Sequence, residues 1–170
     1  MLTFAKLYVF SVTALLSSIP LQINAETCRV AEFVVEGASM SPRIAPHQTI
    51  QVTMGDATCW GSLRHNDVVI FHSDNSRIPL VKAIRGLPDD TLSVSDGHIV
   101  INGKSTTNSS GQLYQLPAPR AAMIGLYAHD YVGVIPRNMF LVMGENIHGS
   151  TDSSRFGFVG SDQIIGKVVE

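Results

Sequence analysis

A chain of 170 residues, 45% hydrophobic and 15% charged, is long enough to bury one sizeable core and has the composition of one globular domain. Its net charge of −2 comes without a Lys/Arg cluster or an aromatic-basic ladder, which excludes a nucleic-acid groove and leaves no polyanionic partner implied. Six scattered His and two Cys show no metal-ligand spacing, so neither a metal nor another cofactor is expected.

The first 25 residues read as an export segment. Lys6 precedes an apolar run from Leu7 to Leu16 that fades through Pro20 and Gln22 to Ala25. The run is short for the roughly 20 residues of a spanning helix, and Ile23-Asn24-Ala25 is an approximate small-x-small cleavage site. The segment is therefore either a helix retained as a membrane anchor or a signal cut near Ala25, and residues 26–170 form one exported domain. Cys28 and Cys59 both follow it, in a compartment where an even cysteine count favours pairing. A bridge would tie the start of the domain to the loop around Trp60, a closure on the order of 3 kcal/mol. Two unpaired buried thiols are the alternative.

Most later apolar segments read as strands: Phe33-Val34-Val35, Thr49 to Met54, Val68 to His72, Leu80 to Arg85, Met139 to Met143 and Ile164 to Val169. They are short, rich in β-branched residues and separated by turn formers. Thr91 to Ser95 and His98 to Ile101 alternate about Asp96-Gly97, a hairpin signal, and Asn102-Gly103 marks the next turn. The stretch from Lys104 to Gly125, punctuated by Gly111, Pro117 and Pro119, reads as a long exposed loop. No clear helix is expected after residue 25. The fold expected is mostly β, a coiled antiparallel sheet or partial barrel. A hairpin and loop insertion at about 91–130 lies outside its core.

Two residues carry the chemistry. Lys82 lies in Leu80-Val81-Lys82-Ala83-Ile84, where burial would disfavour its ammonium form and push its pKa towards the working pH. A neutral amine there acts as a general base; the alternative is a lysine that snorkels to the sheet edge and stays charged. Ser39, in Gly37-Ala38-Ser39-Met40-Ser41-Pro42, offers a hydroxyl from a constrained turn with room beside it for a substrate backbone. The backbone N–H of Ser39 is the natural oxyanion donor, and Gly37, two positions earlier, has no side chain to supply a second. Phe33, Val35, Gly37, Leu80 and Val81 are the candidate walls for an extended peptide, and apolar Met40 and Ile44 either touch a bilayer or belong to the core. The polar loop from Gly144 to Gly157 can hold the lysine.

Taken in order, these blocks resemble the type I signal peptidases, Ser-Lys endopeptidases that remove leader peptides at the membrane surface. Gly37, Ser39, Met40 and Pro42 match Gly-x-Ser-Met-x-Pro. Val81, Lys82, Gly86, Pro88 and Asp90 match the lysine block, with Ala83 and Asp89 in place of its Arg and Gly. Gly144, Asn146, Ser150, Asp152, Ser153, Gly157 and Val159 match the third block, with Glu145 for Asp and Ser154 where Arg is usual. The resemblance implies Ser39 as nucleophile, Lys82 as general base, Ser150 as a hydroxyl orienting the lysine amine and Asp152 as a supporting residue, with Arg155 beside the usual Arg position as the nearest candidate to pair with Asp152. It implies as partners exported preproteins or pilin precursors carrying leader peptides, together with membrane lipid. It also implies a place at the bacterial inner membrane facing the periplasm, or in the periplasm if the first segment is cut. The compact size also looks like the conjugative-transfer branch that matures pilins. The altered third block admits a second class, an inactive relative serving as an assembly module of a secretion or conjugation apparatus.

Overall fold

The computed structural model describes residues 28–74 and 76–169; the export segment expected at 1–25 lies outside them. The elements follow in chain order as β1 (Arg29–Val34), β2 (Thr49–Met54), the single turn α1 (Ala57–Trp60), β3 (Val68–Phe71), β4 (Leu80–Gly86), β5 (Leu92–Ser95), β6 (His98–Ile101), β7 (Lys104–Ser105), α2 (Ala118–Asp130), β8 (Met139–Met143), α3 (Ser153–Phe156), β9 (Val159–Gly160) and β10 (Ile164–Val168). Strands dominate, at the positions where β-branched runs alternate with turn formers. Among the described residues no helix is long and apolar enough to cross a membrane.

Seven strands form one curled antiparallel sheet, a half-barrel, in the order β1-β2-β10-β3-β4-β8-β9. Period-two burial explains its edge: in β2, Ile50 and Val52 are buried while Thr49 and Gln51 are exposed. The centre is buried on both faces, which is why β3 reads as an unbroken apolar run, Val68-Val69-Ile70-Phe71. Val68 and Ile70 pack with Val35, Met40, Ile44, Ile50 and Val52, whereas Val69 and Phe71 pack with Ile84, Phe140 and Val142. Of the two placements expected for Met40 and Ile44, bilayer contact or core, the structure shows the core, at 0% and 5% exposure. Their burial fastens the turn that follows β1.

A second sheet, β5-β6-β7, turns at Asp96-Gly97, where both residues have positive φ, as the tightest hairpin turns require. Its apolar side joins Leu92, Ile99 and Ile101 to Tyr114, Leu116, Ile124, Ile135, Leu141 and Met143. Leu141 and Met143 belong to β8, whose intervening Val142 faces the other core. One strand therefore locks the smaller sheet to the larger.

The region from Lys104 to Gly125 is not the exposed loop expected. Asn108, Tyr114 and Leu116 are buried, β7 opens the stretch, and α2 closes it over thirteen residues. The two prolines that read as loop punctuation are the helix start: Pro117 is the N-cap and Pro119 lies in the first turn, where a missing N–H costs no intrahelical bond. Ile124 anchors the helix in the second core. The Cys28–Cys59 bridge is present, tying the start of β1 to α1.

Candidate active site

The turn after β1 presents Ser39. Gly37 adopts φ +77°, a conformation that favours glycine, and the Ser41–Pro42 bond is cis. Ser41 N donates to Ala38 O at 3.1 Å and Ile44 N to Met40 O at 2.9 Å, which closes the turn above buried Met40. Ser39 O accepts from Asn146 N at 3.0 Å, so the backbone at Ser39 is pinned to the loop after β8.

Lys82 lies on β4, opposite Val69 of β3, and is 3% exposed. Its Nζ stands 2.9 Å from Ser39 Oγ and donates to Val81 O at 2.7 Å. Burial pushes the ammonium down from its ordinary 10.5 to about 8, against the opposing pull of the Asp152 carboxylate. At pH 7 about one amine in ten is then neutral, against about one in three thousand for an ordinary lysine. The snorkelling alternative is excluded by this burial.

The supporting residues differ from expectation in their partners. Ser150 Oγ is buried and has no hydrogen-bond partner, so the expected direct hydrogen bond to the Lys82 amine is absent from this structure. Its hydroxyl instead packs against Gly144: a Cβ added there would come within 2.1 Å of Ser150 Oγ and 2.6 Å of Ser39 O. Gly144 is glycine because Ser150 and the backbone of Ser39 both crowd onto it.

Asp152 caps α3, and its carboxylate accepts from Ser154 Oγ at 2.6 Å, Gly144 N at 3.2 Å and Arg120 Nη2 at 2.9 Å. Arg155, the neighbour expected to pair with it, is exposed in the last turn of α3. The arginine that does pair comes from α2, 32 residues away.

A buried ionic network underlies the site and was not expected. Glu145 is 0% exposed; it accepts from Arg85 Nη2 at 2.6 Å, Arg43 Nη1 at 3.4 Å and Ser109 N at 2.8 Å. Arg85 also donates to Asn66 Oδ1 and to the Tyr114 hydroxyl, which itself donates to Gly144 O at 2.8 Å. Such a pair is favourable only with its remaining polar atoms satisfied, and these contacts satisfy them. The substitution of Glu145 in the third block thus has a structural counterpart in Arg85 and Arg43.

Beside the two reactive groups opens a groove of about 260 Å³, lined by Phe33, Val34, Val35 and Glu36 on one side and by Ile78 to Lys82 on the other. Four of the five expected wall residues, Phe33, Val35, Leu80 and Val81, line it, but Gly37 does not. Its position follows from strand pairing. β1 is an edge strand, and β8 pairs with β4 only from Ala83 onward, which leaves the backbone edge at Leu80 to Lys82 open.

The chain was compared with known proteins. The family profile described as signal peptidase, peptidase S26, matches residues 5–170. Signal peptidase IB of Staphylococcus aureus is 31% identical over 148 residues, spanning 82% of this chain and 75% of that protein. Signal peptidase I of Bacillus caldolyticus is 30% identical over 141 residues, spanning 81% and 76% respectively. A crystal structure of a signal peptidase I from Enterococcus faecalis aligns with a TM-score of 0.45 and 23% identity, over 64% of this chain and 97% of that one.

Proposed function

The chain belongs to the signal peptidase family, peptidase S26, whose members are serine proteases, and from that premise we propose that it cuts leader peptides from exported preproteins with Ser39 as nucleophile and Lys82 as general base. The observation that carries this reading is the 2.9 Å approach of a buried, readily neutralised amine to the Ser39 hydroxyl.

In the acylation step, neutral Lys82 takes the Ser39 proton as Oγ attacks the scissile carbonyl carbon. The backbone N–H of Ser39 stabilises the oxyanion as charge develops. Collapse of the tetrahedral intermediate breaks the C–N bond, and the Lys82 ammonium returns its proton to the leaving amine. The amine, neutral again, then deprotonates the water that attacks the acyl carbon, and as the C–Oγ bond breaks the ammonium returns that proton to Ser39 Oγ. Histidine has no part in the cycle.

An extended leader segment adds to the open backbone edges of β1 and of β4 at Leu80 to Lys82, with its side chains directed into the groove walled by Phe33, Val35, Leu80 and Val81. A groove of this size suits small side chains next to the cut. Residues 26–170 act as one catalytic domain outside the cytoplasm, a placement supported by the Cys28–Cys59 bridge, since such bridges persist in oxidising compartments. Residues 1–25 deliver it to the membrane surface where leader peptides emerge.

The test uses the full chain in detergent with synthetic leader peptides, one from a secreted preprotein and one from a pilin precursor. Ser39→Ala and Lys82→Met each remove cleavage by a factor of at least about 10³, the scale lost with a nucleophile or its base. Preference between the two peptides assigns the branch. A folded wild-type chain that cuts neither peptide but retains pilus or secretion components would favour the assembly role.

A further inference from the structure

Arg120 stands where its own helix does not favour it. It is the third residue of α2, in the first turn, where a cation opposes the helix dipole and an anion is preferred. Its side chain is turned away from solvent onto the loop after β8. There Nε donates to Ser154 Oγ at 2.6 Å, and Nη2 donates to Asp152 Oδ1 at 2.9 Å and to Ser150 O at 3.3 Å. Ser154 Oγ in turn donates to Asp152 Oδ1 at 2.6 Å, so guanidinium, hydroxyl and carboxylate close a ring. A planar fork with donors in fixed directions can hold three acceptors at once, which an ammonium on a flexible stem cannot do as rigidly.

The same carboxylate acts on Lys82 through its charge, opposing the effect of burial. Asp152 is the one carboxylate whose charge is felt at Lys82, and its other oxygen accepts from Gly144 N, next to Ser150 and the backbone of Ser39. Among the described residues, the charged and titratable groups facing Asp152 are Lys82 from β4, Arg120 from α2, and the Tyr114 hydroxyl. Burial pushes that hydroxyl up to about 12, so it stays neutral at working pH. Arg120 is the cation bonded directly to the Asp152 carboxylate, at 2.9 Å from Oδ1.

We propose that Arg120 is a positioning residue for the peptidase: from α2 it clamps the loop carrying Ser150, Asp152 and Ser154, and it neutralises the carboxylate that otherwise holds the proton on Lys82. This rests on the reading of Lys82 as general base. It assigns a function to the 104–130 region, whose helix reaches back into the reactive centre. With Arg120 removed, Asp152 retains its full charge beside Lys82 and the amine holds its proton to higher pH.

The full chain, labelled with ε-¹³C lysine, is titrated by NMR, with the Lys82 resonance identified by its loss in Lys82→Met. Arg120→Ala raises the Lys82 midpoint by about one pH unit, the low end of the shift that one nearby charge produces. Arg120→Lys, which keeps a cation at the carboxylate, recovers part of the shift in that midpoint. Arg155→Ala, on the same short helix as Ser154 but exposed, leaves it at the wild-type value. The alkaline-going limb of kcat/KM moves by the same amount as the resonance. Should Arg120→Ala not fold by circular dichroism, Arg120→Gln carries the same comparison. A folded Arg120 variant whose Lys82 titrates as in the wild type overturns the proposal. The titration needs no turnover, so it separates this failure from failure of the catalytic reading, which would appear as cleavage surviving Ser39→Ala.

Discussion

Lys82→Met should abolish cleavage and, at mildly acidic pH, make the protein more stable. The fall of the Lys82 pKa from 10.5 to about 8 is caused by burial. At ~1.4 kcal/mol per pH unit it amounts to a folding penalty of about 3 kcal/mol when both states are protonated. The sign follows from proton counting. Below pH 8, folded and unfolded chains both carry the proton and the penalty is complete. Between pH 8 and 10.5 the unfolded chain holds more protons than the folded one, so stability rises with pH. Above 10.5 both are neutral and the penalty has gone. Methionine fills a similar volume without charge, but it forfeits the bonds to Ser39 Oγ and Val81 O, at a cost of about 1 kcal/mol. The variant should therefore be about 2 kcal/mol more stable than the wild type at pH 6 and about 1 kcal/mol less stable at pH 10.5. Guanidinium unfolding of the full chain in mild detergent, followed through the single tryptophan, Trp60, measures both. Both cysteines of the chain are bridged, so no free thiol reshuffles them at the alkaline end. A difference between the proteins that does not change with pH would show that no desolvated cation was removed, and the argument for a neutralisable base would fail with it.

Gly144→Ala forces its Cβ to within 2.6 Å of Ser39 O and closer still to Ser150, so the strand end or the nucleophile's turn must move. The expected cost is about 1–3 kcal/mol of stability. A fall of about 100-fold in kcat should accompany it, since a displacement near 1 Å is enough to misalign an attacking group. Wild-type turnover in a folded Gly144→Ala protein would contradict this placement. Glu145→Ala leaves Arg85 buried without its anion and should cost about 3–5 kcal/mol in denaturant unfolding, whereas Glu145→Gln, which keeps an acceptor in place, should cost clearly less. Equal losses for the two would mean that packing, not charge, governs the network.

The Ser39–Lys82 contact was legible because each partner sits in a locally unusual context: a cation inside an apolar strand and a hydroxyl in a turn stiffened by Gly37 and Pro42. The strands were legible for a related reason, since period-two burial needs only neighbours along the chain. What escaped the reading depends on partners distant in sequence. Glu145 meets Arg85 across 60 residues and Arg43 across 102, and an arginine destined for burial looks in a sequence like any surface charge. Met40 and Ile44 stayed open between bilayer and core because nothing local distinguishes an apolar side chain that faces lipid from one that faces a core.

Asp152 shows the same limit at the site itself. Adjacency favoured Arg155, yet an aspartate that caps a one-turn helix has its carboxylate folded back on the first N–H groups, while a residue in the last turn points outward. Another element has to supply the cation. The departures from the family pattern in the third block therefore do not argue for a dead site. Ser154, in the position usual for arginine, is the hydroxyl that Arg120 and Asp152 share, and Glu145, in the position usual for aspartate, is bound by two arginines from outside the block. Arg120 comes from a segment whose residues carry no mark of the site, whereas Arg85 and Arg43 lie beside Lys82 and Pro42, and a variant that lost these pairings would keep Ser39 and Lys82 but lose the ion pairs set around them.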